Sequence, residues 1–89
     1  MLSIMEYIFT FFSHFGAVRF NRKCNEMHIK SRLMPTPRKL SSSCGTCCSI
    51  ICDIDKSVIV DKYKSLLPHE LLEEIEQVAF AGEDGYEIL

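Results

Sequence analysis

Residues 1–18 read MLSIMEYIFTFFSHFGAV, and the interpretation of this apolar stretch governs that of the whole chain. Its polar side chains recur at intervals of three and four, namely Ser3, Glu6, Thr10, Ser13 and His14. On a helix this spacing gathers them into one narrow stripe and leaves the rest of the surface apolar. The pattern therefore predicts a helix that ends near Gly16.

A helix with this much apolar surface needs something to cover it, and three environments remain open. It could be a core helix, an interfacial anchor or a short membrane span, since eighteen residues reach about 27 Å against a hydrocarbon thickness of about 30 Å. Glu6 and His14 are costly at the bilayer centre, and the polar stripe lacks the Lys or Arg usual in interfacial helices. The basic run from Arg19 to Lys23 favours a membrane role with the remaining chain on the cytoplasmic face.

Charge divides the 89 residues into three predicted segments: an apolar one at 1–18, a basic one at 19–46 and an acidic one at 47–89. The net charge is only −2, yet seven of the ten basic residues lie within 19–39 and ten of the twelve acidic ones within 53–87. A basic segment beside an apolar one suits anionic lipid, and by itself it would suit nucleic acid. The residues predicted to bind lipid headgroups are Arg19, Arg22, Lys23, Arg38 and Lys39.

The apolar fraction of 47% and charged fraction of 25% are ordinary for a globular domain and exclude a wholly disordered chain. The predicted fold is small and α+β, with an N-terminal hydrophobic helix, a short β-hairpin over 50–60 and a C-terminal amphipathic helix over 66–81. Ser65 would cap that last helix and Gly82 would stop it. Residues 31–46, rich in proline and serine, predict a loop.

Five cysteines form a second feature, four of them within nine residues. The odd count, and an N-terminus that does not resemble a secretory signal, predict a reducing, cytosolic environment. Cysteines beside basic and apolar residues near a membrane are typical S-acylation acceptors, and an acyl chain would supply a second anchor. The candidate acceptors are Cys44, Cys47, Cys48 and Cys52.

The cysteine spacing also allows zinc. Three residues separate Cys24 from His28, two separate Cys44 from Cys47, and fifteen lie between the pairs, as in a tetrahedral Cys₃His site. Zinc would stabilise a domain too small for a large core. This alternative describes a soluble, zinc-stabilised module that binds nucleic acid or a protein partner. A third possibility is that the thiols are simply buried.

The C-terminal segment carries short motifs that suggest a protein partner. The run LPHELLEEI at 67–75 resembles the opening helix of an F-box, which docks on a ubiquitin-ligase adaptor. Tyr86-x-x-Leu89 resembles a tyrosine-based sorting signal, and Glu87-x-Leu89 resembles an acidic-type PDZ ligand. An ordinary amphipathic helix and a solvated tail are the alternatives. The candidate partner-binding residues are Leu67, Leu71, Ile75, Tyr86 and Leu89.

Catalytic motifs are missing from the sequence. There is no glycine-rich phosphate loop, nucleophile elbow or pair of catalytic carboxylates, and His14, His28 and His69 lie in unrelated contexts. We therefore predict a small non-enzymatic, membrane-associated interaction protein on the cytoplasmic face. It would bind membrane lipid and a protein partner and need no cofactor, with zinc as the cofactor of the alternative.

Overall fold

The computed structural model describes residues 4–89, which form one antiparallel sheet and three short helices. The elements in chain order are β1 (Met5–Phe11), α1 (His14–Glu26), β2 (Lys30–Pro35), β3 (Thr46–Cys52), α2 (Ile59–Leu66), α3 (His69–Leu72), β4 (Ile75–Gly82) and β5 (Gly85–Ile88). The strand order is β2-β3-β1-β4-β5, and every pairing is antiparallel. The first four strands and their helices have the split βαβ, or ferredoxin-like, arrangement, to which β5 adds an edge strand.

The predicted N-terminal hydrophobic helix is wrong, because Met5–Phe11 is the central strand of the sheet. Strand β1 pairs with β3 on one side and with β4 on the other. Its side chains alternate between the two faces: Tyr7, Phe9 and Phe11 join the core under the helices, and Ile8 joins a cluster on the opposite face. A strand buried on both faces is almost continuously apolar, so its sequence lacks the alternation that marks a half-exposed strand. The part of that prediction at 1–3 lies outside the described residues.

Helix α1 begins close to the point where the predicted helix was to end. The Ser13 hydroxyl accepts a hydrogen bond from the Gly16 amide at 3.1 Å, as an N-cap does. The helix packs on the sheet through Phe20, whose ring centroid lies 4.5 Å from that of Phe9. The predicted anchoring helix is thus wrong, because residues 5–11 form a strand that is paired on both sides within the sheet. Within residues 4–89, no helix is both long and apolar enough to cross a bilayer.

The predicted hairpin over 50–60 and helix over 66–81 are also wrong. The partners of β3 are β1 and β2, while residues from Ile59 onward form α2. The predicted C-terminal helix is replaced by the end of α2, the four-residue α3 and strand β4. In β4, Val78 and Ala79 are both buried but on opposite faces of the sheet. Pairing with the buried strand β1 therefore overrides the helical periodicity of this segment.

The second face of the sheet is covered by a loop rather than by a helix. Residues 36–45, which we call the β2–β3 loop, connect Pro35 to Thr46. Its Leu40 is only 5% exposed and packs on Ile8, Cys47 and Ala79. The sheet thus has a large apolar core under its helices and a small one under this loop.

Candidate functional site

Four segments meet at one end of the sheet, which we call the loop end. They are the end of β1, the start of α1, the β2–β3 loop and the start of β4. The Phe12 amide donates to the Glu74 carbonyl at 3.0 Å, and the Thr36 amide donates to the Gly45 carbonyl at 2.9 Å. The His14 ring, through Nδ1, lies 3.0 Å from the Thr46 hydroxyl. These contacts join residues far apart in the sequence around the β2–β3 loop.

Hydrogen bonds to β4 hold the β2–β3 loop in place. The Ser43 amide and hydroxyl donate to the two oxygens of the Glu76 carboxylate, at 3.0 and 2.7 Å. These bonds, the one from the hydroxyl first, lower the pKa of Glu76 below its ordinary value. The Gln77 side-chain amide donates to the Ser41 carbonyl at 2.8 Å. With Leu40 buried beneath it, the loop is fastened to the sheet on both sides of Ser42.

Cys44 follows this fastened segment and is partly exposed. Its amide donates to the Ser42 hydroxyl, and its thiol donates to the Thr46 carbonyl, both at 3.3 Å. A Cβ at the adjacent Gly45 would meet no atom within 4 Å, so Gly45 itself borders open space. The loop therefore holds a partly exposed cysteine at a defined backbone position, against the edge of the core under the helices.

The other four cysteines lie on α1 or β3, where burial disfavours the thiolate. Cys47 and Cys48 have no exposed surface, and Cys24 is only 3% exposed. Burial raises the pKa of Cys24 to about 11 and that of Cys48 to about 12, and it also raises the pKa values of Cys47 and Cys52. These four groups are thiols at neutral pH, and a thiol is a poor nucleophile compared with a thiolate.

The zinc alternative is wrong, because the fold separates its predicted ligands. Cys24 faces the core under the helices, whereas Cys47 lies in the small core on the opposite face of the sheet. His28 is exposed just beyond the end of α1, with a φ of 59°. In the part of the chain that the structure describes, no group of three or more His, Cys, Asp or Glu side chains could hold a metal ion.

The predicted acylation cluster is likewise dispersed by the alternation of strand side chains. Cys47 and Cys48 point to opposite faces of β3 and are enclosed, so neither can accept an acyl chain while the protein is folded. Cys52 lies at the far end of β3, half-buried, and only Cys44 belongs to the loop. The four acceptors therefore do not form one lipidated surface.

The predicted headgroup-binding residues fall into two groups. Arg19, Arg22 and Lys23 lie on α1 beside Pro68 and Leu71, and Lys23 is 3.8 Å from Glu26 across the same helix. The other two, Arg38 and Lys39, are exposed on the β2–β3 loop. Lipid binding by either group stays a prediction.

The predicted partner-binding residues are also divided by the fold. Leu67 and Leu71 are buried in the core, and Ile75 is half-buried at the start of β4, so they do not form the exposed face of a docking helix. Tyr86 and Leu89 are exposed in and just after β5. Partner binding by these last two residues stays a prediction.

The residues that hold the loop end together carry no local pattern by which the sequence would reveal their partners. Glu76 and Gln77 fall within the predicted helix over 66–81, and they lie more than thirty residues from the serines that they bind. Glu74 falls within the same predicted helix, and its carboxylate accepts a hydrogen bond from the Ser13 hydroxyl at 2.9 Å. Their only local signal is a run of acids without matching basic residues, which does not identify a partner.

Comparison with known proteins gives one family. A family model described as "Putative Se/S carrier protein-like" matches residues 6–64, which run from β1 into α2 and include the whole β2–β3 loop. The chain belongs to this family. No curated protein and no solved structure matches the chain at a significant level.

Proposed function

We propose that this protein carries sulfur or selenium covalently on Cys44. The observation that carries the proposal is the placement of the cysteines: Cys44 is partly exposed on a fastened loop, while the other four lie on α1 or β3, where burial disfavours the thiolate. The family description supports the same chemistry, since a carrier of sulfur or selenium needs a nucleophilic atom to hold it. The prediction of a non-enzymatic protein is retained in this proposal.

Cys44 would be loaded by thiol exchange, in which the terminal sulfur of a persulfide moves to its thiolate. The Cys44 thiolate attacks the terminal sulfur of a donor persulfide R–S–SH, its S–S bond breaks, and R–S⁻ leaves as Cys44–S–SH forms. With selenodiglutathione as the selenium donor, the thiolate attacks selenium, one Se–S bond breaks, and the thiolate of glutathione leaves as Cys44–S–Se–SG forms. Arg38 and Lys39 are exposed on the same loop and add positive charge that would attract an anionic cargo.

The fixed loop gives the carried atom a defined location. Glu76 and Gln77 hold the backbone on the N-terminal side of Cys44, and strand β3 holds it on the C-terminal side. A mobile cysteine would have to be ordered at each transfer, which costs conformational entropy. The fastened loop pays that cost once, during folding.

The test is loading followed by intact-mass measurement. Reduced protein is exposed to glutathione persulfide and, separately, to selenodiglutathione, which would leave Cys44–S–Se–SG with release of one glutathione. We expect one added sulfur atom in the first case, mapped to Cys44 by peptide fragmentation, and no addition in Cys44→Ser.

Cys52→Ser is the matched control, because Cys52 is also partly exposed but lies at the opposite end of β3. This variant should load as the wild type does. Loading of Cys44→Ser at the wild-type level would refute the proposal, as would a wild-type protein that takes up neither atom. Circular dichroism of each variant ensures that folded proteins are compared.

A further inference from the structure

A cavity lies in the core under the helices, between α1, α2 and strand β3. Phe20 and Cys24 line it from α1, Ile50 and Cys52 from β3, and Tyr63 from α2. Its volume is about 40 Å³, and its wall exposes no nitrogen or oxygen atom. A water molecule there would lack the two to four polar partners that hold buried water in place. The cavity, which we call the α1–α2 cavity, is therefore suited to an apolar group rather than to water or an ion.

Helix α2 borders the opening of the α1–α2 cavity. Two of the lining residues on this helix are exposed to solvent, namely Lys62 and Leu66, the latter at 47%. The helix rests on the sheet through the buried Ile59 and through the Tyr63 ring, which meets the Phe9 ring edge-on with the centroids 5.2 Å apart. A ligand can thus reach the cavity from solvent past Lys62 and Leu66.

Lys62 brings a positive charge to this opening. Among the described residues that line the cavity, it is the one that carries charge. Because the wall exposes no nitrogen atom, the hydrocarbon part of Lys62 forms the wall and its ammonium group lies at the opening, in water. Within residues 4–89 this ammonium group takes part in no ion pair.

The other charged groups of the surrounding elements lie outside the cavity wall. On α1, Lys23 is 3.8 Å from Glu26. In the segment before α2, the carboxylate of Asp55 accepts two hydrogen bonds within its own turn. Asp53 and Asp61 are exposed, and neither lines the cavity. Lys62 therefore sets the charge at the opening itself.

We propose that the α1–α2 cavity binds the hydrocarbon end of a medium-chain carboxylic acid, with the carboxylate at the ammonium group of Lys62. The wall cannot hold the carboxylate, because a charge without hydrogen-bond partners is costly to bury. The volume is a fraction of the roughly 150 Å³ of an apolar cavity that binds benzene, so only the last few carbon atoms enter. The site goes beyond the proposed carrier function and does not depend on it, since Cys44 does not line the cavity.

A carboxylic acid uses both features of the site, whereas simpler ligands use one. An alkane would occupy the wall and leave Lys62 without a role, and a hydrophilic anion such as phosphate would pair with Lys62 and leave the wall empty. Each buried methylene raises affinity about fourfold, and an ion pair with an exposed lysine adds up to about fivefold. The chain therefore supplies most of the affinity, and the charge orients it.

The experiment measures dissociation constants by isothermal titration calorimetry. The ligands are butanoate, hexanoate, octanoate and decanoate, each below the concentration at which it forms micelles, together with octanol. We expect affinity for the wild type to rise from butanoate to octanoate by up to about fourfold per methylene, and to level off when the cavity is filled.

Three variants separate the contributions of charge and cavity. Lys62→Gln should weaken octanoate by up to about fivefold and leave octanol unchanged. Lys64→Gln is the matched control, because Lys64 is exposed on the same helix but lines a different groove, and it should leave both ligands unchanged. Cys24→Leu should fill the cavity from α1 and abolish binding of both ligands. Circular dichroism checks that each variant is folded.

Several outcomes would overturn the proposal. They are equal effects of Lys62→Gln and Lys64→Gln on octanoate, undiminished octanoate binding by folded Cys24→Leu, equal affinity for butanoate and octanoate, and no binding of octanoate to the wild type. If Cys24→Leu does not fold, the lysine pair and the chain-length series still decide, because neither alters the core.

Discussion

Replacing Gly16 with alanine tests the packing at the loop end most directly. Gly16 lies in the first turn of α1, where the carboxylate of Glu74 crosses the helix and receives the Ser13 hydroxyl. A Cβ on residue 16 would stand 2.8 Å from both Cβ and Oε2 of Glu74. The Glu74 Cβ is attached to backbone that also accepts the Phe12 amide, so this atom cannot rotate away as the end of a side chain can.

Two opposing free energies set the sign of the effect. Alanine in place of a helical glycine favours folding by about 1 kcal/mol, whereas forcing an extra methyl group into a packed site costs about 1–3 kcal/mol. We expect Gly16→Ala to lower the free energy of unfolding by up to about 2 kcal/mol. The helix cannot simply shift, because the buried side chains of Ala17 and Phe20 fix it against the sheet.

Repeating the substitution in the background of Glu74→Gly reverses the expectation. That background removes both atoms that the new Cβ would meet, so Gly16→Ala should now raise the free energy of unfolding by about 0.5–1 kcal/mol. The difference between the two backgrounds is the coupling between residues 16 and 74, expected at about 1–3 kcal/mol. Urea unfolding followed by circular dichroism supplies all four values, with the m-value as a check on two-state behaviour. Stabilisation by Gly16→Ala in both backgrounds would show that the close contact does not exist.

Thiol reactivity should follow the burial of each cysteine: iodoacetamide at pH 8 should label Cys44 in the folded protein, and Cys48, with its pKa raised to about 12, should react only in denaturant, as peptide mapping would show. Rapid labelling of Cys48 in the native protein would contradict this. The depressed pKa of Glu76 means that its bond to Ser43 stabilises the loop above the ordinary pKa of 4.5 and is lost as the pH falls through the lower folded-state value. The Ser43 amide proton should therefore shift upfield on acidification, and Glu76→Gln should abolish that titration; an unchanged titration in the variant would refute the assignment. Leu40→Ala should lower the free energy of unfolding by about 2–5 kcal/mol in urea titrations, since it opens the small core under the loop, and a loss below 1 kcal/mol would show that the loop does not pack there.

The wrong prediction of an N-terminal helix has a specific physical origin. The polar residues of this segment have helical spacing, namely Ser3, Glu6, Thr10, Ser13 and His14. The fold buries one of them and gives another a partner from a distant strand, and no local pattern reveals either. Thr10 is fully buried on the central strand, and the carboxylate of Glu6 accepts a hydrogen bond from the Ser49 hydroxyl. A strand covered on both faces has no polar side, so its sequence lacks the period of two by which strands are recognised.

The wrong prediction of a helix over 66–81 has the same origin, because strand β4 is also buried on both faces of the sheet. The alternation in β4 is hidden because both Val78 and Ala79 are apolar, one for each core. The polar side chains of this segment fall on one side at helical spacing and so imitate the polar face of a helix, namely Glu70, Glu73, Glu74 and Gln77. Strand β4 pairs with β1, which lies about seventy residues earlier in the chain. A prediction from neighbouring residues alone does not include that partner.

The candidate site was found only in part. Clustering of the cysteines pointed to Cys44 among its neighbours. The proline- and serine-rich composition predicted a loop over 31–46, but residues 31–35 belong to strand β2, and the loop is confined to 36–45. The composition gave no indication that Leu40 is buried or that Ser43 is bound by Glu76. Those facts make the loop a fixed platform, and they come from contacts between distant segments.

The sequence by itself determined the ordinary globular composition, the division of charge along the chain, the loop before β3 and the concentration of thiols around it. These are properties of composition and short spacing, which the unfolded chain already has. Tertiary structure decided that the apolar N-terminal segment is a central strand, that adjacent cysteines of β3 enter different cores, and that Cys44 stays partly exposed. Burial and thiol pKa depend on which distant atoms replace water around a group, and only the folded chain brings those atoms together.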